Sequence, residues 1–156
     1  MNTKLQIVIF FLLLGLVVGC EKPLLCIGLK NKNSGIIVSD LDIGKYLWPD
    51  QLPQDEYIIT NDSVYAELLE LIPNDRRDDK IPAVDFEKHT VLGKYASGGG
   101  CDIAFHRNVE KNNRRKMYVY TIKVKTCGFC EKLGMSMNWV LVPKLPEGYT
   151  VKFEVN

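Results

Sequence analysis

An α+β domain is predicted, mostly antiparallel β-sheet or sandwich with one well-formed helix over about residues 63–72. Three observations predict it. Three runs in the second half alternate apolar and polar residues with period two, the mark of half-buried strands. One stretch in the middle, Val64, Leu68, Leu71 and Ile72, carries apolar residues at helical spacing. Short clusters of turn-forming residues separate these runs.

The chain opens on a segment that does not belong to the domain. Lys4 supplies a basic start, and Leu5 to Val18 is apolar except for Gln6 and Gly15. This run falls short of the roughly 20 residues needed to span a bilayer, but it suits the apolar region of an export signal. It ends in Val17-Val18-Gly19-Cys20, which resembles the bacterial lipobox. That resemblance implies that residues 1–19 are a lipoprotein signal peptide and that Cys20 is lipidated. Several acyl chains anchor stably, at ~0.8 kcal/mol per buried methylene. Glu21 rather than Asp follows, so the expected location is the cell envelope of a bacterium, on the periplasmic or surface face of the outer membrane.

Residues 20–55 read as a lipid-anchored tether and entry segment, and residues 56–156 as the α+β domain. Within the tether, Asn31 to Gly35 has turn composition and Ile36-Ile37-Val38 could make a short strand. Trp48-Pro49 and Pro53 mark irregular backbone. Tyr57 to Thr60 is a short strand, and Asn61-Asp62-Ser63 supplies helix-capping residues. The charged run Asp75 to Lys80 is a solvated loop. Pro82 to Phe86 returns the chain to the domain.

The domain is organised around residues 84–155. Cys101, Ile103 and Phe105 share one strand face; Tyr118, Tyr120, Ile122 and Val124 share another; Tyr149, Val151, Phe153 and Val155 a third. Lys111 to Arg115 joins the first two as a hairpin. Met135 to Val142 is continuously apolar, as in a strand covered on both faces, and Pro143 ends its pairing. Leu145 to Gly148 turns into the last strand. Gly98-Gly99-Gly100 reads as an inter-strand loop or bulge needing positive φ. It lacks the lysine and the following helix of a phosphate-binding loop.

Loss of Lys4 with the signal leaves 19 basic against 19 acidic side chains, which argues against nucleic acid as a partner. Lys111, Arg114 and Arg115 suit a solvated hairpin tip. Four cysteines remain after Cys20, and an even set in an exported chain suggests disulfides. Cys101 lies on an inward face and Cys130 just beyond the neighbouring strand. The preferred pairing is therefore Cys101–Cys130, failing which Cys101–Cys127, and the first choice leaves Cys26–Cys127 to tie the tether to the domain. The rival is an envelope thiol–disulfide oxidoreductase using Cys127 and Cys130, but no helix or βαβ unit surrounds them to lower a thiol pKa. Zinc is disfavoured because Cys101 and His106 have opposite strand parity. Asp85, His89 and Ser97 have no nucleophile elbow around them. No catalytic set, cofactor or metal is expected. The candidate binding surface is Gly98, Gly99 and Gly100 with Met135, Met137 and Trp139, the last three sharing a parity that also suits a core.

The order strand, short helix, Val84-Asp85-Phe86, Val91-Leu92-Gly93, glycine loop, hairpin and Val140-Leu141-Val142-Pro143-Lys144 resembles the PrcB-like C-terminal domain of exported bacterial proteins. It is also similar to small lipoproteins of gut Bacteroidales. The likeness covers about residues 56–155. It implies a non-enzymatic binding module, accessory to or inhibitor of an envelope protease, held to the membrane by its lipid and acting on an envelope protein. The run Thr126 to Lys132, with its two cysteines, departs from the family pattern.

Overall fold

The computed structural model describes residues 26–43, 47, 49–73 and 81–156. Cys20 and the signal segment, Trp48 and the charged run Asp75 to Lys80 lie outside the described residues.

The elements run β1 (Lys32–Gly35), β2 (Ser39–Asp40), a 3₁₀ turn (Pro49–Gln51), β3 (Glu56–Ile59), α1 (Asp62–Glu70), β4 (His89–Gly99), β5 (Asp102–Asn112), β6 (Met117–Cys127), β7 (Leu133–Pro143) and β8 (Thr150–Val155). They form two four-stranded sheets. Sheet I has the order β1-β5-β6-β8 and sheet II the order β2-β7-β4-β3. The fold is the expected α+β, strand-rich with a single helix among the described residues.

Two long antiparallel pairings, one of them the expected hairpin, build the two sheets. β5 and β6 pair antiparallel from Asp102↔Cys127 to Asn112↔Met117. Their tip is closed by Asn112, whose Oδ1 accepts the Arg115 amide at 3.0 Å, and by Lys116 at φ 48°. β4 and β7 pair antiparallel over eleven consecutive residues each, with no bulge. Two pairings are parallel, β1 with β5 and β6 with β8. Residues 144–149 carry the chain from sheet II across to sheet I, so no hairpin forces β8 to run against its neighbour. It starts beside the start of β6, where the Thr150 amide meets the Lys116 carbonyl.

Sheet II is covered on both faces. Between the sheets lie Leu92, Ala96, Val140 and Val142 with Phe105, Val109, Tyr118, Tyr120 and Ile122. On its other face Val91, Ile59, Met137 and Trp139 pack under Tyr65 and Leu68 of α1 and under Leu41, Ile43 and Leu47. This is why β7 reads as a continuous apolar run.

The structure corrects four readings. The fold begins before residue 56, because β1 and β2 lie in the segment expected to be a tether and edge both sheets. The helix buries Tyr65 and Leu68, with Ile72 buried just beyond its end, whereas Val64 and Leu71 are exposed. Leu68 and Ile72 keep their expected burial, and Tyr65 takes the place of Val64: its hydroxyl donates to the Pro82 carbonyl at 2.9 Å and its ring meets Phe86 edge-on at 5.6 Å. Gly98 and Gly99 end β4 rather than form a loop, and none of Gly98, Gly99 and Gly100 has positive φ. What Gly98 provides is close approach between sheets: a Cβ there would stand 2.7 Å from Val124 Cγ1, and one on its partner Gly134 2.5 Å from Ile103 Cδ1. Finally, Met137 and Trp139 are core residues, 4 % and 2 % exposed. The indole lies over Gly93, its cross-strand partner, where any Cβ would collide with the ring.

Candidate functional site

The cysteines, the glycine run and the exposed part of β7 converge at one end of the sandwich. Cys26 is bonded to Cys127 and Cys101 to Cys130, with Cα separations of 5.5 and 4.6 Å. The Cys101 amide donates to the Cys127 carbonyl at 2.8 Å, so the second bridge caps the ladder where β5 and β6 meet. By loop entropy a bridge spanning 101 positions restricts the unfolded chain by about 4–5 kcal/mol, and one spanning 29 by about 3–4 kcal/mol. The two sulfurs of Cys127-Gly128-Phe129-Cys130 go to different partners. They do not form a dithiol pair, and Cys101, Cys127 and Cys130, the sulfurs that a zinc or redox site would need, are all bonded. No group of three or more metal-ligating side chains stands among the described residues.

The candidate surface divides. Gly98, Gly99 and Ser97 pair across strands with Gly134, Leu133 and Met135, so the glycines and the start of β7 are neighbours. Gly100 donates its amide to the Lys132 carbonyl at 3.0 Å. Met135 is 55 % exposed and is the surface member of the methionine–tryptophan set; Met137 and Trp139 are not.

β7 is open along half its length. Its outer neighbour, β2, pairs only with Val140 and Leu141. The Val38 amide donates to the Leu141 carbonyl at 2.8 Å and the Leu41 amide to the Trp139 carbonyl at 3.3 Å. Odd-numbered residues of β7 therefore turn their main-chain groups outward, and even-numbered ones turn theirs to β4. No strand among the described residues meets Leu133 to Asn138 on the outer side. The Met137 carbonyl has a single long contact, 3.4 Å from Ser136 Oγ.

Two cavities flank this open edge. One, of about 550 Å³, is lined by Asn31, Asp40, Asp42, Arg107, Ser136, Met137 and Trp139 among others. The other, of about 200 Å³, is lined by Asp102, Ile103, Phe105, Lys132, Gly134 and Met135 among others. Arg107 points inward from β5, its side chain 8 % exposed, and its Nη2 lies 3.0 Å from Asp40 Oδ1. Among the described residues Arg107 Nε and Trp139 Nε1 are buried N–H donors without an acceptor. Sequence reading missed Arg107 because a single arginine inside an alternating strand carries no signal of its own.

A second electrostatic feature lies on the outer face of sheet I. Lys32, His106 and Lys123 stand in one cross-strand row, with Lys125 in the next. Burial, then Lys32, Lys125 and Lys123, hold the His106 imidazole below its ordinary pKa, so it is uncharged at neutral pH. The hairpin-tip cations Arg114 and Arg115 are exposed at the far end.

Compared with protein-family models, with curated proteins and with solved structures, the chain gives no match to any of the three.

Proposed function

We propose that this chain is an exported lipoprotein, anchored through Cys20, that works as a non-enzymatic binding module for another protein of the bacterial envelope, as accessory to or inhibitor of a protease there. The observation that carries the reading is the Cys26–Cys127 bridge. It fastens the domain six residues after Cys20, and structural bridges of this kind are characteristic of oxidising compartments outside the cytoplasm. That compartment is where a lipobox sends a chain. The likeness of motif order to the PrcB-like domain supports the same class of role. The open edge of β7, with Met135 exposed on it, supplies a surface suited to another protein.

The test is capture from native envelopes with the tagged, lipidated full chain as bait. A specific, stoichiometric envelope protein, with protease activity in the captured fraction altered by the chain, is the expected result. Robust insulin reduction by the purified chain would overturn the reading in favour of thiol–disulfide exchange.

A further inference from the structure

Natural sheets protect their edges with charges, prolines, bulges or brevity, because unpaired main-chain groups invite another strand. Three edges of this sandwich follow that rule. β1 is four residues of Lys-Asn-Ser-Gly. β3 opens on Glu56, paired to Lys94 at 2.9 Å. β8 carries the Lys152–Glu154 ion pair at 2.8 Å. The exposed half of β7 does not follow it. Leu133-Gly134-Met135-Ser136-Met137-Asn138 has no charge and no proline, and its register with β4 is unbroken.

We infer that Leu133 to Asn138 of β7 receives an extended segment of a partner protein as an added strand of sheet II. The inference rests on the binding-module reading and names the class of partner. Main-chain pairing would engage the outward amides and carbonyls of Met135 and Met137, while Leu133 and Met135 offer apolar contact. The added strand would run between the two cavities. A second copy of this chain is a poorer occupant. Self-pairing of the edge engages six residues a side, against the roughly 20–30 a side of a stable interface.

The probe is a panel of seven-residue synthetic peptides alternating Val, Ile or Thr with polar residues. A matched panel bears N-methyl groups on alternate peptide nitrogens, which removes main-chain donors and keeps the side chains. The readout is residue-resolved amide exchange of the full chain in detergent. The Met135 and Met137 amides should exchange fast without peptide and at least tenfold slower with saturating unmethylated peptide. The methylated panel should leave them fast. Met135→Pro, which deletes an outward amide outside the β4 ladder, should abolish binding with an unchanged fold by circular dichroism; Met135→Lys should weaken it at least tenfold. Three results overturn the inference: no unmethylated peptide slows these amides, methylated peptides bind equally well, or the amides are already slow in the peptide-free chain. The last would mean that a second copy or another part of this chain covers the edge. If Met135→Pro still captures the envelope partner, the strand-addition inference falls and the binding-module reading stands. If the unaltered chain captures nothing, the binding-module reading falls by itself.

Discussion

Arg107 of sheet I and Asp40 of sheet II meet across the open side of the sandwich, Nη2 to Oδ1 at 3.0 Å, and they are unequally buried: the arginine side chain is almost wholly enclosed and the aspartate is 55 % exposed. The asymmetry decides which loss matters. Asp40→Asn leaves a buried guanidinium without its counter-charge, and should lower stability by about 1–2 kcal/mol, less than a fully enclosed pair because water screens Asp40. Arg107→Met together with Asp40→Asn should restore most of that loss. Urea unfolding of the four-member cycle checks this. A double variant weaker than Asp40→Asn alone would show that Arg107 contributes through contacts other than the ion pair.

The two bridges should differ in weight. Non-reducing peptide mapping should recover Cys101 linked to Cys130 and Cys26 linked to Cys127. Cys101→Ser should lower the melting temperature by about 5–15 °C, given the few kcal/mol its loop restricts. Cys26→Ser, which opens the longer loop, should lower it by at least as much. Recovery of a Cys127–Cys130 peptide with Cys101 free would contradict the pairing and revive the redox reading.

Alkaline pH should unfold the domain through its tyrosines. Burial pushes the Tyr65 hydroxyl up to about 12 and raises Tyr120 further, both above the ordinary value near 10. The folded state thus holds these protons more tightly than the unfolded one. The stability tied to the neutral hydroxyls is complete below about pH 10 and is lost as pH rises toward 12. A spectrophotometric titration of the seven tyrosines should show a late group that ionises only with loss of the circular dichroism signal. Ionisation of all of them together near pH 10, with the fold intact, would be the contrary result.

Gly93→Ala should cost about 1–3 kcal/mol, because the added methyl meets the indole of Trp139, a ring buried in the cluster beneath α1. The denaturation midpoint and the tryptophan emission should shift together. An unchanged midpoint would mean that the indole repacks freely.

Cys20→Ser should abolish incorporation of radiolabelled palmitate and block the lipoprotein-specific cleavage. Unchanged labelling would exclude Cys20 as the attachment point.

Much of the fold was legible where one face of a strand meets water. Tyr118, Tyr120 and Ile122 announced the inward face of β6, and Asn61 announced the helix start, where its Oδ1 accepts the Val64 amide at 2.9 Å. Legibility failed where the cause lies in another segment. β1 was read as part of a tether because Lys32 to Gly35 is exposed throughout and shows no alternation. The glycine run was read as a loop because nothing near it in sequence tells of Val124 and Ile103, the side chains of the facing sheet that exclude a Cβ. Met135, Met137 and Trp139 share a parity, but only the cover from Leu41, Ile43 and Leu47 decides that two are core and one is surface. The candidate surface was therefore half visible: the strand could be seen, and its missing neighbour could not.

The Cys26–Cys127 bridge also fixes how the domain bears mechanical load. Tension arriving along the backbone from residues before Cys26 passes through the sulfurs to the end of β6. That strand is hydrogen-bonded on both sides, to β5 and to β8. The four-residue ladder of β1 lies behind the clamp and carries little of the pull, so the weakest edge of sheet I is shielded from being peeled away. Reduction of this one bond would move the load onto β1, and the same tug would then unzip the domain from its first strand.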